Sequence, residues 1–218
     1  MSRIRKPKQF VYSLIYSADG DNFDQNARIL LFQKTNYSNW FADKYILSDY
    51  KHCGFFVDDD RKLDGVNTIY LGRGSPVRSA GMWVFPGGCD DGKGPQFSYV
   101  ELKQETGLDI QRLSSKIFQP GENYSVTLIK VSEEVLHQLS EEARRNFSAC
   151  QEYRKLLANH SKSIAMAKSF VLGNLPPLHS DEICDCRISN FNDAVRVLNS
   201  QENCGWFVAA LNYIRSNP

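Results

Sequence analysis

Between Gly81 and Leu108 the chain passes from an apolar run, Gly81-Met82-Trp83-Val84-Phe85, through Pro86-Gly87-Gly88 into a polar, glycine-rich loop from Cys89 to Gln96. A segment of helical character follows from Phe97 to Thr106. Gly107 supplies the left-handed residue that ends such a helix, and Leu108 the apolar contact that accompanies it. A strand therefore feeds a loop and then a helix, which is the connection expected of an α/β fold.

The rest of the chain repeats both periodicities. Gln9 to Tyr16 alternates Phe10, Tyr12, Leu14 and Tyr16 with smaller or polar residues and ends in a turn cluster, so it reads as a strand. Arg28–Lys34, Asn67–Leu71 and Tyr124–Val131 read as further strands, and Ile183–Ile188 as a weaker one. Ser132–Leu157 carries Leu136, Leu139, Ala143, Phe147, Cys150 and Leu157 at three- and four-residue steps, the mark of a helix. A second helical pattern, Ile164–Leu172, is stopped by Pro176-Pro177. Two amphipathic helices close the chain, one with Phe191, Ala194, Val195 and Leu198 on its apolar face and one with Phe207, Ala210, Leu211 and Ile214. Thr35 to Val66 is rich in Asn, Asp, Lys and Tyr and is too long for a plain connection, so it reads as an insertion or a flap over a site. The whole reads as a single α/β domain over 1–218, with an insertion at about 35–66 and a helical elaboration at about 132–178.

Composition narrows the function. With 26 Lys and Arg against 25 Asp and Glu, the formal charge of +1 argues against a broad DNA-binding or membrane footprint. At 42% hydrophobic residues the chain has enough apolar surface to fold. No apolar stretch reaches membrane-span length and no signal-peptide core follows Met1, which makes a cytoplasmic protein the expectation. Six cysteines without a C-x-x-C pair read as reduced core residues.

The chemistry gathers on the helix after the glycines. Glu101 and Glu105 are four residues apart and so share one face, with Gln104 beside them. Two carboxylates so placed repel unless a cation or solvent offsets them, and a hard, oxygen-seeking ion such as Mg²⁺ suits that face. The plain alternative makes Ser98-x-x-Glu101 a capping box and Glu105 a solvated surface charge. Here the sequence resembles the Nudix hydrolase family, whose box joins a glycine and a loop glutamate to a helix reading R-E-U-x-E-E-x-G-U, with U a bulky apolar residue. W-x-F-P-G-G, Glu101, Leu102, Glu105, Gly107 and Leu108 carry the match. Val100 stands in place of the arginine, Gln104 in place of the first Glu of the pair and Gly94 in place of the loop glutamate, and the loop is two residues short.

The resemblance implies an α/β/α sandwich around a mixed central sheet. It also implies Mg²⁺ or Mn²⁺ held by Glu101, Glu105 and the carbonyl of Gln104, and hydrolysis of a nucleoside diphosphate linked to another moiety. Asp90 and Asp91 offer further anionic ligands in the shortened loop. A general base outside the box is expected, with Glu182 first, Asp181 and Glu122 behind it, while Glu101 and Glu105 complete the catalytic set. Gly87, Gly88 and Trp40 are the expected substrate contacts, and Phe55, Phe56 and Tyr70 are further aromatic rings that suit a base. The partner is then a nucleotide-type small molecule, and a homodimer is allowed. The competing reading, which Val100 and Gln104 favour, is a catalytically impaired Nudix-fold module that binds a nucleotide, RNA or protein.

Overall fold

The structure, a computed structural model, describes residues 8–18, 22–38, 75–90, 92–110, 113–160 and 182–218. In chain order the first half gives β1 (Phe10–Ser17), α1 (Phe23–Asn26), β2 (Arg28–Lys34), β3 (Tyr37–Ser38), β4 (Ser75–Pro76), β5 (Trp83–Val84), β6 (Gly87–Cys89) and α2 (Ser98–Thr106). The second half gives β7 (Ser115–Gly121), β8 (Tyr124–Lys130), α3 (Glu133–His160), β9 (Ile183–Asn190), α4 (Phe191–Asn199) and α5 (Gly205–Ser216).

β1 is the spine of a mixed sheet. It runs parallel to β8 from Phe10 opposite Tyr124 to Tyr16 opposite Lys130. On its other side it changes partner: Ile15–Ser17 pair antiparallel with β2, whereas Phe10–Tyr12 pair antiparallel with β6. β2 in turn carries β9 and β5, and β7 closes the far edge against β8. Alternation along β1 sends successive side chains to opposite faces. Ser13 meets α2 on one face through a hydrogen bond to the Ser98 carbonyl, and Tyr12 meets Trp206 and Phe207 of α5 on the other. Helices thus cover both sides of a mixed sheet, the three-layer α/β/α sandwich that the sequence led us to expect.

The core follows the periodicities. Leu136, Leu139, Ala143, Phe147 and Cys150 of α3 are buried, with Phe147 edge-on to Phe32 of β2 at 6.5 Å. Phe191, Ala194 and Leu198 of α4 and Phe207, Ala210, Leu211 and Ile214 of α5 are buried as their spacing predicts, while Val195 packs at the margin. Cys150, Cys186 and Cys204 are core residues, whereas Cys89 and Cys184 are only half-buried. No helix among the described residues is long and apolar enough to cross a membrane.

Three features depart from expectation. Gly87, Gly88 and Cys89 form a short strand, so the polar loop starts after Cys89 and not at it: Pro86 interrupts the run, and the chain crosses from β2, where Trp83–Val84 pair, to β1, where Gly87–Cys89 pair. β7 was not anticipated, because most of its residues are exposed and it includes Pro120, so it lacks the buried alternation that marks a strand. The helix after Ser132 also runs on to His160. Tyr37–Ser38 pair with Ser75–Pro76, so the chain leaves and re-enters at one place around the expected insertion. Most of that insertion, the strand expected at Asn67–Leu71, the helix expected at Ile164–Leu172, the side chain of Leu157 and Cys53 lie outside the described residues.

Candidate active site

α2 is fixed to the sheet before any of its carboxylates is placed. Ser98 and Thr127 share a hydrogen bond between their hydroxyls at 2.6 Å, Leu102 is fully buried, and Gly107 ends the helix at φ +76°. The Ser98 hydroxyl is thereby committed to β8, and no side chain caps the first turn of α2, so the capping-box reading of Ser98 and Glu101 does not hold. Glu105 is not a solvated charge either, being 3% exposed.

The face opposite Leu102 looks onto a cavity of about 500 Å³ that opens where β1 changes partner. Glu101, Gln104 and Glu105 line it, as do Gly87, Gly88 and Glu182. The Gly87 N–H donates to Glu105 Oε2 at 2.8 Å. Glu101 lies over Gly88 so closely that a Cβ there would fall 2.7 Å from its Oε2. At Gly87, with φ +154°, a Cβ would fall 2.0 Å from the Val11 carbonyl oxygen. Each glycine therefore has a separate steric reason.

Glu182 arrives from a distant part of the chain. Its position depends on an irregularity in the β2–β9 ladder, where Gln33 faces Asp185 but Lys34 faces Ile183. Such a bulge re-aims the side chains next to it. The Thr35 N–H donates to the Glu182 carbonyl at 2.8 Å, which anchors the residue to the end of β2. The Lys34 ammonium lies 3.3 Å from Glu105 Oε1 and 3.4 Å from Glu182 Oε2. Burial by itself lowers an ammonium pKa, but Glu105 and Glu182 outweigh it and hold Lys34 above its ordinary value. The Glu182 carboxyl is pushed up to about 8 by burial and by the neighbouring Glu105, against the opposing pull of Lys34. Burial, and then Glu105, also raise the Tyr12 phenol, which stays protonated as a donor at the cavity.

The sequence reading overlooked several residues. Lys34, the exposed Arg78, Tyr12, Tyr124 and Trp206 all line the cavity. Lys34 had a usable signal: it follows Leu30 and Phe32 at strand spacing on one face, so a lysine there is a charge at an inward position. Other expectations fail. Asp90 turns its carboxylate to the N–H groups of Gly92 and Gly94, at 3.0 and 3.1 Å, and so closes its own loop instead of facing the cavity. Glu122 sits exposed in the β7–β8 turn and is not among the lining residues. Trp40, Phe55, Phe56, Tyr70, Asp91 and Asp181 lie outside the described residues.

The donors suit a hard divalent cation in kind: carboxylate oxygens and one amide carbonyl. The Lys34 ammonium, drawn to two of those carboxylates, stands in for a cation there. Burial and Glu105 nonetheless raise the Glu182 carboxyl against the pull of Lys34, so one ammonium does not fully balance the two carboxylates beside it. As arranged around the ammonium, no three carboxylate, imidazole or thiol groups among the described residues stand close enough to hold an ion.

Among solved structures, the chain is similar to a mutT/nudix family protein from Listeria innocua, with 12% identity, 98% of this chain and 100% of that one covered, and a TM-score of 0.43. It is also similar to a MutT/nudix family protein from Enterococcus faecalis, with 17% identity, 61% of this chain and 40% of that one covered, and a TM-score of 0.31. No family model and no curated protein matches the chain. Likenesses this distant leave the function to the chemistry of the site.

Proposed function

We propose that this chain is a Nudix-type pyrophosphohydrolase that cleaves the diphosphate linkage of a nucleoside diphosphate joined to another moiety, with Mg²⁺ or Mn²⁺ as cofactor. One observation carries the reading: Glu101 and Glu105 of α2 meet Glu182, from far along the chain, beside Gly87 and Gly88 at one cavity of about 500 Å³. That volume is within the range of small-molecule sites. Glu101, Glu105 and the Gln104 carbonyl are the groups that would hold the ion, which when bound neutralises phosphoryl charge and acidifies water.

The chain's own residues do the rest. The glycine strand lets a diphosphate approach the backbone without meeting a side chain, and Arg78 at the cavity offers a planar fork of donors to phosphate oxygens. Water attacks one phosphorus in line, the new P–O bond forms as the bridging P–O bond breaks, and the water proton passes to the carboxylate of Glu182. Two phosphorylated fragments leave. A nucleotide-type substrate and a cytoplasmic setting belong to the same proposal.

A second reading, a binding module that has lost hydrolysis, is favoured by Lys34, which already joins Glu105 and Glu182, and by the uncharged Gln104. Hydrolysis of a panel of nucleoside diphosphate derivatives with and without Mg²⁺ separates the two. For the hydrolase, Glu105→Gln lowers the metal-dependent rate about a hundredfold, equivalent to about 3 kcal/mol of transition-state stabilisation. Background turnover by both proteins across the panel, with retained nucleotide binding, selects the module instead.

A further inference from the structure

We infer that Lys34 is an exchangeable internal counter-ion: in the ion-free protein its ammonium holds Glu105 and Glu182 together, and it leaves them when a divalent cation binds. The inference rests on the metal-binding part of the proposed function, but not on hydrolysis.

The geometry is that of an occupied cation site. Lys34 Nζ lies 3.3 Å from Glu105 and 3.4 Å from Glu182, and the three side chains are only 17%, 4% and 11% exposed. Charges so sheltered are screened little by solvent or salt. An ammonium on Glu105 and a divalent ion that needs Glu105 therefore compete for that carboxylate. On the side that faces the ion, Glu105 is held in place, because its Oε2 accepts from the Gly87 N–H of the β6 backbone. Lys34, by contrast, has a flexible four-carbon stem and sits at the end of its strand. The lysine is thus the member of the cluster free to swing away. Arg78 and Tyr12 line the same cavity, and a displaced ammonium moves towards the space where a substrate phosphate would lie.

The arrangement also explains how the buried Glu105 and Glu182 can be kept side by side without an ion. Removing one partner of a buried pair leaves an uncompensated charge, and Lys34 prevents this in the ion-free state. The consequence is a weakened affinity for the ion, because each binding event must first release the internal cation.

Two measurements test this on the full chain. The first is calorimetric titration of Mn²⁺ into wild type, Lys34→Met and Lys34→Arg in the absence of nucleotide. Lys34→Met should bind Mn²⁺ at least tenfold more tightly and melt at lower temperature in the presence of chelator, with Lys34→Arg resembling wild type. Equal or weaker affinity in Lys34→Met, or no binding by any of the three proteins, overturns the inference. Tighter binding alone could also follow from lost repulsion, so the second measurement uses wild type only and needs no variant to fold. Amine-reactive labelling of Lys34, read by peptide mass spectrometry, should be slow in chelator and rise at least severalfold with saturating Mn²⁺. Labelling that stays slow or slows further with Mn²⁺ bound means that the ammonium never leaves, and the exchange fails. Mn²⁺ exchange without turnover of any nucleotide leaves this inference standing and removes the hydrolase. Turnover with unchanged Lys34 labelling does the reverse.

Discussion

On the side of α2 the cavity is walled by charge, and on the side of α5 by rings. The ring wall is a chain of like partners: Tyr124 stacks on Trp206 at 5.2 Å, Trp206 lies 4.0 Å from Tyr12, and Phe207 meets Tyr12 and Phe85 edge-on. Each ring is satisfied by its neighbours whatever the pH or the contents of the cavity. The charged wall is a set of unlike partners, in which Glu105 raises both Lys34 and Glu182 and Lys34 draws Glu182 back down. Removing a ring therefore leaves a hole, whereas removing a charge re-titrates what remains. The difference teaches that stability and chemistry are divided between the two walls, with Tyr12 packed among the rings while Glu105 raises its phenol.

The largest test falls on the ring wall. Phe207 is 3% exposed and packed on Phe85 at 4.6 Å, so Phe207→Ala should cost about 3–5 kcal/mol in chemical denaturation. A loss below about 1 kcal/mol would mean that the rings are not what holds this side together. Next comes the strand between the walls. In Gly87→Ala the new methyl meets the Val11 carbonyl, backbone that cannot turn aside, and we expect a loss of about 1–3 kcal/mol together with loss of activity. Gly88→Ala is the contrast, since its methyl meets only the end of the Glu101 side chain. Stability should change by less than about 1 kcal/mol while metal-dependent turnover falls about tenfold, because the carboxylate is pushed out of place. Equal loss of stability in the two glycine variants would erase the distinction drawn between them.

The same division governs what the sequence discloses. α2 was legible because everything that defines it is local: the glycines before it, Glu101 and Glu105 one turn apart, and the Gly107 cap. α4 and α5 were legible from apolar spacing, yet that spacing recorded Phe207 only as core and passed over Trp206, since periodicity does not say which cavity a ring borders. Lys34 was the hardest case. Its ion pair with Glu182 joins residues 148 apart and depends on a bulge that only the folded ladder reveals. The strand Gly87–Cys89 escapes the linear pattern because it exists only through pairing with β1. Charge partners and short strands are tertiary facts, and a linear pattern carries them weakly.

The smallest effect expected is also the one most particular to the charged wall. Glu182 has an ordinary carboxyl pKa of 4.5 when unfolded and one pushed up to about 8 when folded, chiefly by burial and by Glu105. Below the lower value both states carry the proton and the neutral group costs nothing. Between the two values the folded chain keeps a proton that the unfolded chain has released, so stability falls as pH rises towards about 8. Lys34, raised above its ordinary value, contributes its stability throughout this window and loses it only at higher pH. In chelator, wild type should therefore lose stability from about pH 6 to pH 8 relative to Glu182→Gln, by on the order of 1 kcal/mol. The ring-wall variant Phe207→Ala should keep the wild-type slope, because it removes packing and no proton. Parallel curves for wild type and Glu182→Gln in thermal melts across that range would mean that Glu182 is already ionised beside Lys34, and that the charged wall is balanced without any further cation.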